Sequence, residues 1–185
     1  MAGPTLVIEL AEPVAPAALR GFRTLMRGLS THFEELRPGA FDVNVAVERL
    51  GVETPTAVDS QEVDGRRPFL VYLMGPGVGD EDIFEAEHAD EPEVEAALGF
   101  KPTHAVNVSA GCNRGVDHVA TALLTAAIAD VLGGLVKAEL LDGHVSVVAG
   151  LPGMLGVTDE ECPTVLGTAE FLRAWIDQPG FRLVK

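Results

Sequence analysis

Phe41-Asp42-Val43-Asn44-Val45-Ala46-Val47-Glu48 is the stretch that decides the fold. Its odd-numbered positions carry Phe41, Val43, Val45 and Val47, and its even-numbered positions carry Asp42, Asn44, Ala46 and Glu48. A period of two gives two distinct faces only on an extended strand. One face is therefore buried and the other wet, which is the pattern of an antiparallel sheet or of a sheet covered on one side.

Pro38 and Gly39 precede this strand, and before them the apolar residues Leu19, Phe22, Met26, Leu29, Phe33 and Leu36 fall at steps of three and four. That spacing predicts one amphipathic helix over residues 17–36, with the stems of Arg20, Arg23 and Arg27 flanking its apolar stripe. Thr5 to Ala11 alternates as a first strand, ended by Pro13 and Pro16.

Beyond Glu48, residues 51–67 read as a polar connection and Phe69 to Met74 as a fully apolar strand. Short helices are expected around Ile83 and from Pro92 to Leu98, where Pro92 suits a first turn and Gly99 an end. A strand over Ala105–Ala110 leads into an alanine-rich helix over Asp117–Leu132, stopped by Gly133 and Gly134. Leu135–Leu140 and His144–Ala149 read as further strands, 151–156 as a loop, Thr168–Ile176 as a helix and Phe181–Val184 as a last strand. Trp175 is expected to fill the core with part of its ring exposed.

At 185 residues, 47% apolar, the chain has the size of a single domain with a sizeable core. The elements sum to one α+β domain over residues 1–185: a two-layer sandwich with a mixed or antiparallel sheet of about five to seven strands and helices mainly on one face. The apolar runs Val119–Ile128 and Val131–Val136 are interrupted by Asp130 and by glycines, short of the roughly 20 residues that span a bilayer. Met1 to Leu10 has neither the basic start nor the apolar run of a signal peptide, so a cytoplasmic setting is expected. There Cys112 and Cys162 would be free thiols. A net charge of -15 and a sequence pI near 4.6 argue against nucleic acid and anionic membrane as main partners, since both attract a positive field.

That negative charge is concentrated. Between Pro68 and Phe100 lie Asp80, Glu81, Asp82, Glu85, Glu87, Asp90, Glu91, Glu93 and Glu95, with no Lys or Arg among them. Such a block is either a solvated face or a site facing something positive. The preceding Gly75-Pro76-Gly77-Val78-Gly79 has the glycine content of a phosphate-cradling turn. Asp80, Glu81 and Asp82 would cancel its positive end, however, and the Lys-Ser or Lys-Thr of a P-loop is missing, so a plain chain reversal is expected. The run Asp80 to Glu91 also lacks the internal glycine and alternate-position ligands of a calcium loop. His32, His88, His104, His118 and His144 show none of the short paired spacings of structural zinc sites. No cofactor and no metal is expected from these spacings.

A second constellation is Gly111-Cys112-Asn113-Arg114-Gly115-Val116-Asp117-His118, between a strand and a helix. A thiol ahead of a helix N-terminus is activated if a base reaches it, which makes Cys112 with His118, and Asp117 beside them, the candidate catalytic group of a small cysteine-dependent enzyme. The competing structural account has Asp117 as a helix N-cap and Cys112 as packing at a strand end.

The segment His104 to Glu139, with Gly111-Cys112-Asn113, Asp117-His118 and Gly133-Gly134 at its junctions, resembles an uncharacterised actinobacterial family and is similar to segments of predicted immunity proteins that protect bacteria from polymorphic toxins. It covers about a fifth of the chain. The resemblance implies a non-enzymatic cytoplasmic inhibitor of one toxin domain, and no contact residues carry over from it. Combined with the charge, the leading expectation is a basic protein partner, steered by Asp80, Glu81, Asp82, Glu85 and Glu87 and anchored by Ile83 and Phe84. The oligomeric state stays open.

Overall fold

The structure is a computed structural model that describes residues 3–52, 65–88, 91–141, 143–158 and 162–184. The polar connection at 53–64 and Asp90 of the acidic block lie outside the described residues. The strands are β1 (Thr5–Leu10), β2 (Ser30–Arg37), β3 (Ala40–Ala46), β4 (Arg66–Met74), β5 (His104–Ala110), β6 (Leu135–Glu139), β7 (Met154–Thr158) and β8 (Thr164–Gly167). They form one eight-stranded sheet in the order β2-β3-β4-β5-β1-β6-β8-β7, with all seven neighbour pairs antiparallel. The α+β class is as expected, and the sheet is larger than anticipated.

Up to Val45 the decisive stretch behaves as its alternation requires, whereas Ala46 of the other face is buried and Val47 and Glu48, expected in the strand, enter a 3₁₀ helix over Val47–Leu50. Phe41, Val43 and Val45 are fully buried in the core that α1 (Pro16–Leu29) and α4 (Gly115–Leu132) share with the sheet. The same core takes Leu6 and Ile8 of β1, Val106 and Val108 of β5, Val136 of β6, and Phe171, Leu172 and Trp175 of α6 (Ala169–Ile176). Trp175 is wholly buried rather than part-exposed, stacked on Phe171 at 5.5 Å and meeting the edge of Phe181 at 5.2 Å. The opposite face of the sheet is not bare. α2 (Glu81–His88) packs Phe84 against Met74 and Ala105, and α3 (Pro92–Leu98) packs Val94 and Leu98 against Leu166.

Several boundaries differ from the sequence reading. The helix expected over 17–36 stops at Leu29, and Ser30 turns extended (φ -97°, ψ 149°) straight into β2. Phe33 and Leu36 fit a helical stripe, but the segment pairs with β3 instead, and Leu36, at an irregularity of that ladder, ends 56% exposed. The strand expected at 144–149 is a single helical turn, α5 (Val145–Val148), because a short apolar run carries no period that separates helix from strand. Residues 154–156, the end of the loop expected over 151–156, open β7, and β8 falls where no strand is expected. Phe181–Val184 joins no ladder; it is held by the Phe181–Trp175 contact and by the Leu183 N–H, which donates to His118 Nδ1 at 3.1 Å.

Gly133 and Gly134 end α4 for two separate reasons. Gly133 takes the left-handed φ of 79° at the helix end, where L side chains are strained. Gly134 lies so close to β1 that a Cβ would sit 2.3 Å from Ile8 Cγ2. Among the described residues α4 is the one helix long and apolar enough to cross a membrane, and it is the central core helix, with Asp117, His118 and eight other side chains buried.

α1 is tied to the edge strand by Arg23, whose guanidinium grips both carboxylate oxygens of Glu35 at 2.7 Å. The bond to Arg23 holds the Glu35 carboxyl below the usual carboxylate range, against the opposing effect of burial. A depressed carboxyl contributes stability that is present above its unfolded value, about 4.3, and is lost as pH falls through the folded value. Urea midpoints measured from pH 5 downwards are therefore expected to fall less steeply in Glu35→Gln than in the parent chain. The partly exposed setting of the pair keeps the effect modest.

Candidate functional site

Sheet alternation fixes which side chains face α2 and α3. In β1, Leu6, Ile8 and Leu10 enter the main core, so Thr5, Val7 and Glu9 point the other way. Val7 pairs with Asn107 on one side and Lys137 on the other, which sets a polar row across β5, β1 and β6. α2 and α3 roof this row incompletely and leave a cleft of about 400 Å³ lined by Thr5, His88, Glu91, Asn107, Lys137 and Thr158, among others.

At one wall of the cleft lies a tight charged set. Glu9 is fully buried, and its Oε1 is 2.9 Å from His88 Nδ1 and 3.3 Å from Lys137 Nζ. Lys137 Nζ also bonds Glu91 Oε2 at 2.5 Å. An ionised Glu9 can only accept, so His88 Nδ1 carries the hydrogen, and in the neutral imidazole Nε2 is then the acceptor. Glu9 Oε2, His88 Nε2 and Asn107 Oδ1 are all buried without a hydrogen-bond partner among the described residues. Three orphaned acceptors beside a cleft match a cationic or donor-rich ligand, because burying such atoms unpaired is costly.

Sequence reasoning missed this set. A lone Glu in Leu6-Val7-Ile8-Glu9-Leu10 and a lone Lys in Leu135-Val136-Lys137-Ala138 were the available signals. They become neighbours only through the β5-β1-β6 order.

The acidic block itself divides into two populations. Asp80 pairs with Arg37, which also donates to the carbonyls of Leu73 (3.0 Å) and Val78 (2.7 Å) and so locks the glycine loop. The amide of Gly77 donates to Glu81 Oε1 at 2.7 Å, so the loop's anion-binding capacity is spent on its own helix. Glu91 has Lys137, and Glu95 has Lys101 at 3.7 Å. Asp82 and Glu85, by contrast, are exposed on α2 with no cation beside them among the described residues, and Glu87 is exposed next to the rim of the cleft. Ile83 is 41% exposed on the same helix. Phe84 is not: it is 6% exposed and stacked on His88 at 5.6 Å, so it anchors α2 to the sheet.

The Cys112 constellation is placed differently from its sequence spacing. Cys112 is a half-buried free thiol. Asp117 is not the N-cap but the third residue of α4; its Oδ2 accepts from the Arg114 N–H at 2.6 Å, and Oδ1 lies 3.4 Å from Arg67 Nε. His118 is buried in the first turn, where its Nδ1 accepts from Leu183 N–H. Both side chains thus hold the start of α4 and the C-terminal segment in place.

A one-sheet α+β domain with a polar cleft and an acidic roof is the class that fold and site define. The chain belongs to a family of unknown function, DUF6368, whose profile matches residues 2–185. No curated protein and no solved structure matches it.

Proposed function

We propose that the protein is an acidic cytoplasmic binding protein of the immunity type, which neutralises a basic partner, such as a toxin domain, by docking it on the exposed face of α2. The observation that carries this reading is the division of the carboxylates. Internal cations go to Asp80, Glu91 and Glu95, while Asp82 and Glu85 are left unneutralised around an exposed Ile83.

That arrangement costs helix stability. Glu85 stands three and four residues from Asp82 and Glu81, and like charges at those spacings destabilise a helix by about 0.2–0.5 kcal/mol per pair. A cationic surface would relieve the repulsion, and opposite fields raise association rates by roughly 10- to 1,000-fold. Ile83 supplies the apolar contact that a charged rim alone lacks.

The test begins with affinity capture from the source cell and purification of the captured protein. Association is then measured by stopped flow against the parent chain and against Asp82→Asn/Glu85→Gln/Glu87→Gln. These positions leave the Arg37–Asp80 lock intact. The reading predicts a captured protein with a basic surface, an association rate at least tenfold lower for the triple variant, and a steep fall with salt for the parent chain only. Equal rates for the two chains would remove the proposal.

A further inference from the structure

The geometry points to a second site with its own chemistry: Glu9, His88 and Glu91 form a binding site for a divalent first-row metal ion, which enters in exchange for the ammonium of Lys137. Each of the three offers one ligand atom, and all these atoms lie within 4.8 Å of one another. They come from β1, from the last turn of α2 and from the residue that caps α3, so the site forms only when the roof is closed on the sheet. Ligand atoms bound to one ion at about 2.0–2.2 Å stand roughly 3–4.4 Å apart. Side-chain adjustments of under about 1 Å therefore complete the coordination.

Two independent observations go beyond the cluster. Glu9 and His88 are at least 98% buried, and Glu9 Oε2 and His88 Nε2 have no hydrogen-bond partner among the described residues. A buried carboxylate oxygen and a buried ring nitrogen, each left open, are groups that a bound metal ion would satisfy. In addition, Lys137 Nζ already sits at 3.3 Å from Glu9 and 2.5 Å from Glu91. A monocation thus occupies the meeting point of two carboxylates, with a third, Glu87, 3.9 Å from His88 Nε2. A dication balances this charge better, and the adjoining cleft gives the lysine stem room to swing aside.

The donor set selects the ion. Two carboxylates and one imidazole suit Zn²⁺, Mn²⁺, Fe²⁺ or Co²⁺, whereas Ca²⁺ and Mg²⁺ favour all-oxygen shells. Lys137 then acts as a built-in competitor that keeps the site closed to metal at low concentration. Glu9 is separated in the chain by 79 residues from His88, which is why local ligand spacing gave no sign of the site.

The experiment is titration of the chelator-treated chain with Zn²⁺ and Mn²⁺ by calorimetry, with Co²⁺ as a spectroscopic probe of nitrogen and oxygen ligation. Three chains are compared: the parent, Lys137→Met and His88→Gln. The site predicts binding at a ratio of one, tightened at least tenfold in Lys137→Met and weakened at least tenfold in His88→Gln. It also predicts that Zn²⁺ raises the melting temperature of Lys137→Met more than that of the parent. Affinity unchanged by His88→Gln would show adventitious surface binding and overturn the proposal, as would a folded Lys137→Met chain that binds no tighter. If Lys137→Met does not fold even with Zn²⁺, the parent and His88→Gln decide between them. Partner capture is not used in any arm, so failure here leaves the docking face of α2 untouched.

Discussion

Lys137→Met is expected to lose about 3–5 kcal/mol of unfolding free energy in metal-free buffer, the range for breaking a buried ion pair by removing one partner. Glu9 is fully buried with Lys137 Nζ 3.3 Å away, and removing that ammonium takes from Glu9 and Glu91 the cation they share. Urea denaturation at pH 7 measures the loss. The double variant Glu9→Gln/Lys137→Met is expected to recover a large part of it, because the buried charge and its counter-ion are removed together. A loss below about 1 kcal/mol in the single variant would show that the pair is solvent-screened in the manner of surface pairs.

Trp175→Ala is the second large effect, at about 3–5 kcal/mol, the usual span for emptying a fully buried large aromatic site. Trp175 lies at 0% exposure between Phe171, Phe181 and His144, and it clamps α6 and the C-terminal segment onto α4. Trp175→Phe should cost much less, since most of the ring volume is kept. The native emission of this single tryptophan is expected to be blue-shifted and to move red on unfolding. Far-UV circular dichroism follows the alanine variant, in which that probe is lost. A stability change under 1 kcal/mol for the alanine variant would mean that α6 is dispensable to the core.

The parts of this fold that were legible in the chain were those with a clean period. Phe41 to Val45 and Leu6 to Leu10 alternate without interruption, and their inward apolar residues are buried, although Glu9 on the other face of β1 is buried too. The alanine-rich helix likewise stood between readable glycine stops. Where two periods fit the same letters, tertiary pairing decided: Phe33 and Leu36 continue the stripe of α1 on paper, yet the segment pairs with β3. At Val145–Val148 a run of apolar residues is too short to carry any period, and Thr164–Gly167 is only four residues long.

The acidic face was visible from composition, although composition could not say which carboxylates would meet internal cations. Arg37 and Lys137, which neutralise Asp80 and Glu91, are more than 40 residues away in the chain. Phe84 looked available beside Ile83, and one helical step of about 100° separates an exposed side chain from a buried one. The cleft was invisible for a plainer reason: its walls come from β1, β5, β6 and the roof helices, and their adjacency depends on strand order.

The central place of β1 bears on how the molecule comes into being on the ribosome. The strands β2 to β5 are consecutive neighbours and can zip as they emerge, and β6, β8 and β7 form a second local group. β1 is made first, yet its partners β5 and β6 lie roughly a hundred residues downstream, at the ends of those two groups. It has no partner until β5 has been made, and its second partner, β6, follows later still. Long-range closure of this kind slows folding and leaves an apolar strand open to wrong partners during synthesis. If the two groups form first, the amides of Leu6 and Ile8 gain protection after those of β3, an order that hydrogen-exchange pulse labelling of β1 against β3 tests directly.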